Sequence, residues 1–147
     1  SPNLPNQRAV LLYPSLCLFE GTIVSVGRGT DKQFQVLGAP DPVFGSYEFT
    51  PEKRPGSQFP PQEGKRCYGR DLTGVTIPTD RLDLTYLFEF FQKAPDKAAF
   101  FLKNGGFDRL AGTDQFRKAL LAGKTESDIR ATWQPKLNAY KKMRLQY

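Results

Sequence analysis

A chain of 147 residues with 39% hydrophobic and 13% aromatic content is long enough to bury one core, and its 12 prolines and 13 glycines predict many turns. It has no histidine and two cysteines, which excludes Ser-His-Asp and Cys-His catalysis within the chain, every histidine-ligated zinc site and any four-cysteine metal site. The formal charge of +6 is scattered over basic pairs such as Lys65-Arg66, Arg117-Lys118 and Lys141-Lys142, a pattern that fits a solvated basic surface better than a nucleic-acid interface.

The opening SPNLPN reads as an extended linker arriving from something upstream. AVLLY (9–13) is a short apolar run that predicts a buried strand. Pro14 suits the first turn of a helix, so a brief helix over 15–19 is expected, stopping at Gly21 and leaving Glu20 at its end. TIVSV (22–26) alternates like a strand, with a loop as the other reading. Gly27-Arg28-Gly29-Thr30 is a loop by composition, and QFQVLG (33–38) alternates like a half-buried strand. Residues 45–66 form a long irregular excursion with a short extended piece at YEF (47–49). CYGRDLTGVTIP (67–78) offers a further strand, broken by Gly74.

From residue 79 the period becomes helical. Thr79 or Asp80 caps a helix with Leu84, Leu87, Phe88 and Phe91 along one face, ending before Pro95. The segment DKAAFFLK is closed by Gly105-Gly106, and another helix runs from Thr113 to a stop at Gly123. Thr125-Glu-Ser-Asp128 is a capping-box pattern opening the last helix; Ile129, Trp133, Leu137 and Tyr140 follow along one face, with Pro135 as a kink or a first-turn marker. Strands first and helices after give an α+β class: a small sheet from the N-terminal half with a helical C-terminal half packed on it. There is no run of about 18 apolar residues, so no membrane insertion by this chain is expected. Cys17 and Cys67 form either one disulfide or two buried thiols, with the apolar run around Cys17 favouring burial.

Two residues stand out in YPSLCLFEGTIVSVGRGT (13–30). Glu20 is one carboxylate in an apolar setting, which disfavours its charged form and makes it a candidate general acid; the alternative is a carboxylate that simply faces solvent beside Gly21. Glycosidases pair such a group with a second carboxylate, about 5–5.5 Å away for retention or about 6.5–9.5 Å for inversion, and Asp31, Asp41 and Asp71 are available. Arg28 carries a guanidinium able to grip a carboxylate or phosphate, between glycines that permit close backbone approach; the alternative is a tight turn with an exposed arginine. The Gly-Arg-Gly-Thr string has neither the glycine spacing nor the lysine of a nucleotide fingerprint. Asp108 and Arg109 in FDRLAGTD, and Trp133, read as structural.

AVLLYPSLCLFEGT, GRGT, QFQVLGAP, CYGRDLTGVTI, FDRLAGTDQFRKAL and a Trp-bearing terminal helix occur in that order. In this the chain resembles the C-terminal region of the NamZ-type exo-β-N-acetylmuramidases. The resemblance implies that residues 1–8 are the remnant of an interdomain linker and 9–147 a single C-terminal domain. It further implies an upstream Rossmann-like domain, absent from this chain, with a cleft between the two. The implied parent is a glycoside hydrolase that releases N-acetylmuramic acid from the non-reducing ends of peptidoglycan fragments in the bacterial envelope, periplasmic or extracellular. No metal or organic cofactor is implied. On this reading Glu20 is the acid/base or substrate-orienting carboxylate, Arg28 holds the lactyl carboxylate of muramic acid, and Thr22 and Thr30 add hydroxyl contacts. The domain by itself is then expected to turn over little or nothing. The competing reading is a non-catalytic peptidoglycan- or carbohydrate-binding module.

Overall fold

A computed structural model describes residues 2–146 of the chain. The first element is a helix, α1 (Gln7–Leu16), and not the strand expected over 9–13. The buried residues Ala9, Leu12 and Leu16 recur at helical spacing, while Val10, Leu11 and Tyr13 between them are exposed. Asn6 caps the helix, its Oδ1 accepting from the Ala9 N–H at 2.9 Å. Pro14 lies inside the helix and not in its first turn. It is tolerated because the carbonyl it leaves unbonded, that of Val10, sits on an exposed turn open to water. A 3-10 turn over Cys17–Gly21 continues directly from α1.

Three short antiparallel strands follow: β1 (Val36–Ala39), β2 (Tyr47–Phe49) and β3 (Cys67–Asp71), in spatial order β1-β3-β2. Val36 lies opposite Asp71 and Gly38 opposite Gly69, while Phe49 faces Cys67 from the other side. Residues 22–26 do not extend this ladder. They touch it and the helical half through two isolated bridges, Ser25 with Gly38 and Thr22 with Phe101.

Helices fill the second half: α2 (Thr85–Lys93), α3 (Gly106–Ala111), α4 (Gln115–Leu121) and α5 (Glu126–Arg144). α2 starts later than the Thr79 or Asp80 cap would place it: its N-cap is Leu84, which makes no side-chain capping bond, and Asp83 just before it accepts from the Thr85 N–H at 2.9 Å. Gly105-Gly106 closes the DKAAFFLK segment and also opens α3: Gly105 adopts φ +68° and Asn104 Oδ1 accepts from the Gly106 N–H at 2.8 Å. The expected capping box at Thr125 and Asp128 is formed. The fold is therefore α+β, a small sheet with helices that dominate the C-terminal half.

An aromatic chain ties these parts together. Phe91, Phe100, Phe101, Phe107, Phe116 and Trp133 touch in succession with ring centroids 4.8 to 5.6 Å apart. Phe90 stacks on Phe44 and takes Phe19 edge-on, joining α2 to the turn that carries Glu20. Both cysteines are free thiols, Cys67 buried and Cys17 half-buried, which decides the sequence alternative in favour of thiols. Burial pushes the Cys67 thiol up to about 11. Cys17 is raised as well, by burial and then by the nearby Glu20 carboxylate.

Candidate functional site

Glu20 and Arg28, eight residues apart in sequence, are brought together as an ion pair. Arg28 Nη2 lies 2.8 Å and Nε 3.0 Å from the same oxygen, Glu20 Oε2. Both side chains are about a quarter exposed, at 26% and 25%. The apolar surroundings of Glu20 therefore contain its own counter-charge. Among the described residues Glu20 Oε1 and Arg28 Nη1 have no hydrogen-bond partner. The pair thus leaves one acceptor oxygen on Glu20 and one cationic donor nitrogen on Arg28 unengaged, the latter on the guanidinium edge away from Glu20.

Local geometry fixes both members. Gly21 can stand beside Glu20 only as glycine, since a Cβ there would come within 2.2 Å of the Phe107 backbone nitrogen in α3. The Leu102 N–H also donates to the Gly21 carbonyl at 3.0 Å. Gly27 and Gly29, on either side of Arg28, hold φ of +79° and +81°, and the Glu52 N–H donates to the Gly29 carbonyl at 2.9 Å. The guanidinium lies over the ring of Phe34, 5.0 Å from its centroid, and Tyr13 meets the same ring edge-on. Phe34 is fully buried with φ +54°, a left-handed backbone that is unusual for so bulky a residue and that stores of order 1 kcal/mol or more of strain.

The two threonines serve the turns around the pair. The Thr22 hydroxyl is buried, donating to the Phe19 carbonyl at 2.8 Å and accepting from the Val24 N–H at 3.1 Å. Thr30 is half-buried, and its hydroxyl donates to the Gly27 carbonyl at 2.7 Å and accepts from the Lys32 N–H at 3.0 Å. The other carboxylates suggested by sequence are engaged elsewhere. Asp31 is paired with Arg54. Asp41 caps a turn by accepting from the Val43 N–H at 2.9 Å. Asp71 binds Lys32 Nζ at 2.6 Å, and bonds from Lys32 and Thr73 outweigh its burial to hold its carboxyl below the usual range. Asp108 forms a forked pair with Arg117, not with Arg109. No three His, Cys, Asp or Glu side chains converge as a metal site among the described residues, and none of the described helices is long and apolar enough to cross a membrane.

Sequence reasoning overlooked the aromatic floor under Arg28 and a second polar cluster in which Lys32 Nζ also donates to the Tyr47 hydroxyl at 3.1 Å. The cue for Phe34 lay in QFQV, where an aromatic interrupts polar residues just after the glycine turn, but no local spacing predicts which cation covers it.

This chain belongs to the family described as exo-β-N-acetylmuramidase NamZ, C-terminal, which matches residues 11–147. It is 29% identical over 169 residues to the peptidoglycan β-N-acetylmuramidase NamZ of Bacillus subtilis (strain 168), across all of this chain and 39% of that protein. Its fold is similar to the crystal structure of a DUF1343 family protein from Bacteroides fragilis, with a TM-score of 0.91 and 41% identity over all of this chain and 42% of that one. The chain spans well under half the length of each of these relatives.

Proposed function

We infer that this chain is the cleft-forming C-terminal part of a glycoside hydrolase of the bacterial envelope that releases N-acetylmuramic acid from the non-reducing ends of peptidoglycan fragments. Family membership supports the reaction class, and the Glu20–Arg28 pair is the observation that carries the site. Muramic acid differs from other wall sugars by its lactyl carboxylate, and the free Nη1 of Arg28 offers a charge-assisted hydrogen bond to such a group. The open Oε1 of Glu20 accepts from a sugar hydroxyl or takes part in proton transfer at the glycosidic oxygen. Thr30 is the better placed of the threonines for a hydroxyl contact, while Thr22 holds the turn behind Glu20. The partner carboxylate and the opposite wall belong, on this reading, to an upstream Rossmann-like domain.

The test is release of the N-acetylmuramoyl sugar from a chromogenic substrate by the full-length protein. Glu20→Gln is expected to lower kcat by about 10²–10⁴-fold, the usual worth of an acid–base group. Arg28→Ala is expected to raise KM for muramic acid substrates and not for N-acetylglucosamine analogues. Wild-type rates in both variants would remove the pair from the site.

A further inference from the structure

The distal half of α5 departs from the rest of the fold. Residues 134–146 are all exposed, and Ile129 is the helix's buried residue. Helices of this length keep their shape in water mainly by packing one face, and a distal half without a partner is marginal. Leu137, Tyr140 and Met143 are 41%, 54% and 50% exposed and continue the line begun by Ile129 and Trp133. Ile129, Trp133, Leu137 and Tyr140 line a groove of roughly 1210 Å³ together with Leu110 and Ala111 of α3 and Ala119 of α4. Lys118, Lys124 and Lys136 border the groove together with the carboxylate Asp128, and Lys141, Lys142 and Arg144 lie further along α5, where residues 131–146 contain no acidic side chain.

We propose that this groove and the exposed stripe of α5 seat the remaining, N-terminal part of the longer protein, through an apolar ridge bordered by carboxylates. The proposal shares with the functional reading the view that this chain is part of a longer protein, and it is independent of the glycosidase chemistry. More than half of each relative lies outside the match, and the matching family is a C-terminal one, so the remainder precedes this domain. Charge argues against a second copy, and shape against a lipid surface. A second copy would bring the same cations against each other, which costs affinity. A lipid surface would receive the helix in its plane and leave the concave wall of α3 and α4 unfilled.

Hydrogen exchange read by mass spectrometry, on this chain alone and on the full-length protein, tests the assignment. Amides over 134–144 are expected to exchange on the order of a hundredfold more slowly in the full-length protein. Leu137→Asp in the full-length protein should abolish that protection, while leaving the melting temperature of this chain alone unchanged. Equal exchange in the two proteins would overturn the proposal. So would protection that rises with the concentration of this chain alone alongside a dimer in sedimentation, or protection induced by phosphatidylglycerol vesicles. If protection is present but the full-length protein releases no muramic acid, the docking surface stands and the glycosidase reading falls.

Discussion

α1 and α5 are built from the same local devices and end in opposite situations. Each opens on a side-chain cap, Asn6 or the Thr125–Asp128 box, and each carries an internal proline, Pro14 or Pro135. Yet α1 buries Ala9, Leu12, Ser15 and Leu16 within ten residues, whereas α5 buries Ile129 alone in nineteen. Caps and propensity decide that a helix forms and where it begins. What it packs against is decided by residues far away in sequence. α1 leads straight into the turn of Glu20, which the aromatic chain clamps to α2 and α3; α5 leaves that chain at Trp133 and runs on into solvent.

That contrast can be broken at its strongest point first. Phe107 joins Phe101 and Phe116 and abuts Gly21, so Phe107→Ala is expected to cost about 3–5 kcal/mol in urea denaturation. A loss under about 1 kcal/mol, the size of a surface change, would mean the clamp is slack. Gly21→Ala should cost about 1–3 kcal/mol, because the new methyl meets backbone in α3 and not a side chain able to turn away.

Acid offers a third, smaller perturbation on the packed side. Arg70 of β3 and Lys93 both bind Glu89 of α2, at 2.6 and 2.8 Å. Burial works against the charge on Glu89, but the bonds from Lys93 and Arg70 outweigh it and hold its carboxyl below the ordinary range. The unfolded chain takes up this proton at higher pH than the folded one. The stabilisation is therefore complete above the ordinary carboxylate range and is lost as pH falls through the lowered value. Urea midpoints measured against pH should fall less steeply in Glu89→Gln than in the wild type. The smallest effect belongs to the exposed side: Tyr140→Ala should change the stability of this chain alone by no more than about 0.5 kcal/mol. A larger loss would show that the distal half of α5 already has a partner within the chain.

What the sequence revealed follows the same division. The Thr125 box, the YEF strand and the end of α2 before Pro95 were legible because each is set by a few neighbouring residues. AVLLY misled because five apolar or aromatic residues in a row fit a strand or a helix equally well, and the decision lay with Asn6 outside the run. Glu20 and Arg28 were legible as unusual residues but not as a pair. Their meeting depends on two positive-φ glycines, a buried Phe34 and a backbone contact from α3, none of which leaves a spacing signal.

The close approach of Gly21 to α3 has a consequence for how portable this site is. Tyr13 to Thr30 looks like a cassette, a continuous stretch that could be lifted into another scaffold. Its position, however, is held by Leu102, Phe101 and Phe107, about eighty residues further along the chain by the numbering itself. A synthetic peptide or a loop graft carrying YPSLCLFEGTIVSVGRGT would bring the charges and lose their alignment. The smallest unit that can be moved intact runs at least from the Asn6 cap to α3.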